Sequence, residues 1–192
     1  MKRKVIIITD GDKVAQRCIE NIAQKVGGRC ISLSAGNPTP LKGSEIVELI
    51  KQAHHDPVFV MFDDRGCCSK GPGEKAMEYI GKDPDIEILG AVAVASNTSN
   101  TKGIKVDYSV TSEGTLVDQA VDKFGNSLPS HSNILYGDTV DALNHLNIPI
   151  VIGTGDTGKM DGADDIKRSS PVTTKAIIEI LKKNGYNLPV NG

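Results

Sequence analysis

The chain has 192 residues, 39% of them hydrophobic and 24% charged, with a net charge of −2. A chain of that length buries roughly 70% of its unfolded surface around one core, so no disulfide or metal staple is needed. The charge balance provides no basic footprint for nucleic acid or an anionic membrane, and 4% aromatic residues with no Trp provide few platforms for stacked bases.

The opening Met1-Lys2-Arg3-Lys4 runs straight into a short apolar stretch, without the apolar core of a signal peptide, and no run approaches the ~18 residues of a membrane span. A single soluble α/β domain over residues 1–192 is therefore expected. Cys18, Cys30, Cys67 and Cys68 are too few for a disulfide scaffold and lack zinc spacing, which points to a reducing compartment. The vicinal pair Cys67-Cys68 reads as a tolerated loop substitution.

Lys4 to Thr9 reads as the first strand and Gly11 to Val26 as the helix after it, with Val14, Cys18, Ile19 and Ile22 at helical spacing and Gly27-Gly28 as the stop. Arg29 to Leu33 reads as a second strand, and a loop of turn formers leads to a helix over Ser44 to Ala53 with Ser44 as N-cap. Pro57 to Phe62 is a third strand, followed by a loop over Asp63 to Gly71 and a helix over Pro72 to Gly81. Ile86 to Ala95 is a long apolar fourth strand. The β-α-β-α-β-α-β order predicts a mostly parallel sheet with helices on both faces, a three-layer Rossmann-like arrangement.

Polar residues 97–126, with alternating Val106, Tyr108 and Val110, read as a short β insertion of antiparallel edge strands or a hairpin. Beyond it lie a short strand over Ile134 to Tyr136, a helix over Thr139 to Leu146 capped by Asp138, a strand over Ile148 to Ile152, and a last helix over Val172 to Asn184 ended by Gly185.

Two strands run directly into carboxylates. Val5-Ile6-Ile7-Ile8 leads to Asp10 and Asp12, and Val58-Phe59-Val60-Met61-Phe62 leads to Asp63, Asp64 and Arg65. Open α/β sheets bind ligands beyond the carboxyl ends of their strands, so these four aspartates form a candidate ligand or metal edge. A hard cation such as magnesium would suit them, with Asp10 and Asp63 best placed; the alternative is that they cap helices and turns.

The run Gly153-Thr154-Gly155-Asp156-Thr157-Gly158-Lys159 follows a strand and resembles half of a phosphate-binding loop, making Gly153, Gly155, Lys159 and Arg65 candidate anion contacts. Met160, however, stands where such a loop needs Ser or Thr for magnesium. Ser32, Ser34 and Asn37 could hydrogen-bond a ligand, although a rigid connection explains them equally. His54, His55, His131 and His145 show no metal spacing and are assigned no role.

Taken together, Ile7-Ile8-Thr9-Asp10-Gly11-Asp12, Gly27 to Ser32 with Ser34 to Pro40, Met61 to Gly66, and Gly153 to Asp156 with Gly158 to Gly162 closely resemble the soluble stage V sporulation protein AE family of endospore-forming bacteria. The resemblance spans essentially the whole chain. It implies a non-enzymatic accessory protein of the operon that serves dipicolinic acid uptake in sporulation and its release in germination. Such a protein is peripheral at the spore inner membrane, with proteins of that operon or of the germination apparatus as partners and no nucleic acid.

A more distant likeness is to Toprim-like folds, which carry an acidic residue after the first strand and Asp-x-Asp after the third for magnesium-dependent phosphoryl transfer on nucleic acid. Here Asp10 takes the first position, while Arg65 replaces the second Asp after strand three. The expectation is therefore that fold without nuclease activity and without a cofactor. A magnesium-dependent phosphotransferase or nuclease, and a sensor of a small anion such as a dicarboxylate, are the alternatives.

Overall fold

The computed structural model describes residues 1–64, 70–98, 101–129 and 132–186. Its centre is a seven-stranded sheet of β1 (Arg3–Ile8), β2 (Arg29–Cys30), β3 (Val58–Met61), β4 (Ile86–Val94), β6 (Tyr108–Val110), β7 (Leu116–Val117) and β9 (Val151–Thr154), in the order β2-β3-β1-β4-β9-β6-β7. All neighbours are parallel except β6 and β7. A separate antiparallel pair joins β5 (Ile104–Lys105) to β8 (Ile134–Leu135).

Helices α1 (Lys13–Lys25), α2 (Gly43–Gln52), α3 (Pro72–Gly81) and α4 (Pro171–Lys183) cover the sheet. The alternation of β1 explains the layers. Val5 and Ile7 face one core with Ile46 and Ile50 of α2 and Met77 and Ile80 of α3. Ile6 and Ile8 face the other, with Cys18, Ile19 and Ile22 of α1 and Ile177 and Ile180 of α4. A strand buried on both faces reads as a continuous apolar run, which is why β1, β3 and β4 are legible in the sequence. The expected three-layer, Rossmann-like α/β architecture is what the chain forms.

Several boundaries differ from the sequence reading, each for a tertiary reason. The second strand stops at Cys30, because the Ser34 N–H (2.9 Å) and hydroxyl (2.7 Å) both donate to the Ile31 carbonyl and wind Ser32–Ser34 into a 3-10 turn. Helix α2 begins one residue early, at Gly43. Ser44 does not cap it; Glu45 instead accepts from the Lys42 N–H at 2.7 Å.

The stretch expected as a helix over 139–146 is a 3-10 segment, Val140–His145, and Asp138 is not its cap: Thr139 occupies that place with φ 58°. Asp141 there accepts instead from the Lys102 and Gly103 N–H groups, at 2.9 and 2.8 Å. The last strand is displaced to Val151–Thr154, because pairing with β4 sets its register from Ala91↔Val151 to Val94↔Thr154. The insertion supplies the antiparallel edge strands expected of it, with β6 joining the main sheet in parallel beside β9 and β7 pairing antiparallel to β6 at the edge.

Level strand ends place the loops that follow. Ile8 is in register with Met61 on one side and Val92 on the other. The Phe62 N–H bonds the Ile8 carbonyl at 2.9 Å, and the Val94 N–H bonds the Thr9 hydroxyl at 2.9 Å. The residues after β1, β3 and β4 therefore emerge together at one edge.

Candidate functional site: an acidic cleft at the carboxyl ends of the strands

A cleft of about 490 Å³ opens at this edge, lined by residues following β1 (Asp10, Asp12), β3 (Asp63), β4 (Ser96 to Thr98), β8 (Asp138) and β9 (Asp156, Lys159). Asp10 and Asp63 thus come together as the repeated strand-then-Asp pattern requires, and a Cβ built on Gly11 would lie 3.0 Å from the Asp63 Cβ. Asp63 is fixed by the loop opposite: the Thr39 hydroxyl accepts from its N–H at 2.9 Å, and the Thr39 N–H donates to its carbonyl at 2.8 Å. Asn37, two residues earlier, also lines the cleft, whereas Ser34 does not; its hydroxyl accepts from the Met61 N–H at 2.9 Å inside the core.

The other two aspartates of the predicted edge hold helix N-termini, where unpaired N–H groups and the helix dipole favour a carboxylate. Asp12 caps α1, its Oδ1 accepting from Val14 and Ala15 at 2.8 and 2.9 Å. Asp64 turns away from the cleft and accepts from Gly73 at 2.6 Å and Glu74 at 2.8 Å in the first turn of α3. Asp64→Ala is expected to cost about 1–2 kcal/mol through the lost cap. A urea denaturation midpoint unchanged from wild type would contradict that assignment.

Lys159 brings an ammonium to the cleft. Its Nζ lies 2.6 Å from Asp12 Oδ2 and 3.5 Å from Asp156 Oδ1, tying the loop after β9 to the start of α1. Burial would lower its pKa, but the charges of Asp10, Asp12 and Asp156 outweigh that and raise it. Burial pushes Asp12 up as well, yet its bonds to Lys159 and to the Ala15 and Val14 N–H groups bring it below the usual carboxylate range.

Asp10 behaves oppositely. It is buried, its pKa is raised to about 7 by desolvation and then by the neighbouring Asp12 charge, and Lys159 offsets only part of this. One of its oxygens accepts from the Asp12 N–H at 3.2 Å, while Oδ2 is buried without a hydrogen-bond partner. A group bringing an N–H or O–H donor would satisfy that oxygen.

Gly153 lies within β9 and Gly155 directly follows it, each hemmed in by neighbouring segments. A Cβ on Gly153 would strike the Ser109 hydroxyl, and one on Gly155 would meet the Lys123 carbonyl at 2.6 Å and Met160 Sδ at 2.8 Å. Both glycines allow close packing, and neither lines the cleft. The loop continues as a 3-10 turn, Met160–Gly162, with Met160 buried, so no α-helix N-terminus follows Lys159 to cradle phosphate. Its organiser is Asp164, which the sequence reading missed. Fully buried, Asp164 accepts from the N–H groups of Gly158 (2.7 Å), Val172 (2.8 Å) and Thr173 (3.0 Å) and from the Thr173 hydroxyl (2.6 Å). Partners six to nine residues away leave no local motif that would have revealed it.

Arg65, the other predicted anion contact, lies outside the described residues, as do Cys67, Cys68 and His131. Cys18 and Cys30 are free and buried, with thiol pKa values pushed by burial to about 12, which makes them structural.

The donor set does not match the magnesium site that the Toprim likeness implies. Asp12 and Asp64 are engaged at helix ends, an ammonium stands against Asp12 and Asp156, and among the described residues no three His, Cys, Asp or Glu side chains are grouped to hold a metal ion. In its lining, five aspartates face one lysine among the described residues, a field that favours a hydrogen-bond-donating or cationic group over a dicarboxylate.

These features define the class: an α/β protein with a mostly parallel sheet and a polar, acidic cleft at the carboxyl ends of its strands. The chain belongs to the family of stage V sporulation protein AE1, whose model matches residues 4–184. No curated protein and no solved structure matches it. Membership gives the chain a role in sporulation. No helix among the described residues is long and apolar enough to cross a membrane.

Proposed function

We propose that the chain is a non-enzymatic accessory protein of the machinery that moves dipicolinic acid across the spore inner membrane in sporulation and germination. It is held there peripherally, by protein partners encoded with it or belonging to the germination apparatus. Family membership over residues 4–184 supports the cellular context. The observation that carries the non-enzymatic part is the engagement of the acidic edge: Asp12 and Asp64 cap helices, and Lys159 occupies the space between Asp12 and Asp156. Phosphoryl transfer by metal ions needs carboxylates free to ligate, and a basic surface or stacking platform to gather nucleic acid.

The test has two arms. Purified protein incubated with magnesium and either nucleotides or nucleic acid is expected to show no hydrolysis, and a turnover that survives repurification and disappears in Asp63→Ala would establish the enzyme instead. In the native cell, deletion is expected to alter dipicolinic acid release on germination, and the Asp63→Ala protein is expected to restore it. Unchanged release in the deletion strain would remove the proposed role.

A further inference from the structure

At the opposite side of the sheet, β2 is an edge strand. The N–H groups of Arg29 and Ile31 donate inward to the Pro57 and Phe59 carbonyls, each at 2.9 Å. Alternation along an extended strand therefore turns the Cys30 N–H and C=O toward the open edge. Natural edges of this kind are commonly covered, charged or paired with another chain.

Beside the edge runs a groove of about 400 Å³, with Arg29 and Leu33 on one side and Leu49, Gln52, His54 and His55 on the other. Leu33 is 64% exposed, an apolar side chain standing over polar surroundings. Among the described residues lining the groove there is one guanidinium, two imidazoles and no carboxylate, in a chain whose net charge is −2. The groove is thus a locally donor-rich surface on a protein that is acidic overall, next to backbone polar groups that point away from the sheet.

We infer that this groove is a docking surface for an extended, acidic segment of a partner protein, which adds to the sheet beside β2. The backbone of the segment pairs with Cys30, a carboxylate meets Arg29, acceptors meet the His54 and His55 rings, and an apolar side chain covers Leu33. A second copy of this chain is the poorer occupant, because edge-to-edge pairing would crowd two Arg29 guanidinium groups together without a carboxylate from either groove. The inference deepens the accessory reading by naming the face through which a partner attaches. It fails separately from that reading, since the deletion phenotype does not depend on which surface is used.

The experiment titrates ¹⁵N-labelled full-length protein with a capped peptide of alternating Glu and Val, and with its counterpart of alternating Lys and Val. The Glu–Val peptide is expected to shift the amide signals of Cys30, Leu33 and the 53–55 segment and to bind more tightly than the Lys–Val peptide. Arg29→Glu, a change at an exposed position, is expected to weaken Glu–Val binding about tenfold or more, the effect of one lost charge-assisted contact. Leu33→Ser is expected to weaken both peptides without changing their order. Equal binding of the two peptides, shifts confined to the acidic cleft, or no shift at millimolar peptide would each overturn the proposal.

Discussion

Asp10→Asn is expected to make the protein more stable at pH 8 by on the order of 4 kcal/mol, and to leave stability nearly unchanged below pH 4. Burial disfavours the charge of Asp10 and raises its pKa to about 7 in the folded chain, against 3.8 for an exposed Asp carboxyl. The folded state therefore holds this proton more tightly than the unfolded state does. Its contribution is fully present below pH 3.8, falls as pH rises, and is lost once pH has passed through 7, at about 1.4 kcal/mol per unit.

Asn presents the same shape, keeps an acceptor for the Asp12 N–H and never ionises, so the slope between pH 4 and 7 should flatten in the variant. Urea unfolding of both proteins at half-unit intervals isolates this group, because every other titrating residue is common to the pair. Parallel pH profiles would show that Asp10 is hydrated and that its orphan oxygen faces bulk water.

Asp164→Ala is expected to cost about 4 kcal/mol, since it removes an acceptor from three N–H groups and one hydroxyl in a position with no exposure to solvent. The Val172 and Thr173 donors lie in the first turn of α4 and the Gly158 donor in the loop after β9, so one side chain joins a helix start to a wall of the cleft. Asp164→Asn, with a single carbonyl oxygen, is expected to fall between wild type and Ala. A denaturant midpoint that moves without a change in slope would report the loss as stability. A loss below about 1 kcal/mol would mean that water replaces the carboxylate and that it organises nothing.

Neither residue could be assigned from its neighbours in the chain. Asp10, Asp12, Asp63 and Asp64 look alike in sequence, each just beyond an apolar run, and the structure separates them by what each oxygen reaches. Asp12 and Asp64 find amide groups of a helix start, Asp63 is clamped through its backbone by Thr39, and Asp10 is left with one bond and one unpaired oxygen. Similarly, Gly153 and Gly155 look like a phosphate-binding loop but stand against Ser109, Lys123 and Met160, a matter of packing between distant segments.

Features with a local cause are legible in the order of residues. Where β1, β3 and β4 are buried on both faces, at residues 5–8, 58–61 and 89–94, the residues must form apolar runs. Helices packed on one side must repeat at 3.6 residues, and α1 and α4 must end where Gly27 and Gly185, both at positive φ, release the chain. From that order of elements the layered architecture follows.

Long-range pairing set other features: that β6 enters the main sheet beside β9, that β9 starts at Val151 in register with β4, and that residues 140–145 wind as a 3-10 segment. The tertiary structure also decided which aspartates support helices and which of them line the cleft. Those outcomes depend on hydrogen-bond partners tens of residues away, and a carboxylate's chemistry is set by the donors and charges around it, which the order of residues along the chain does not specify.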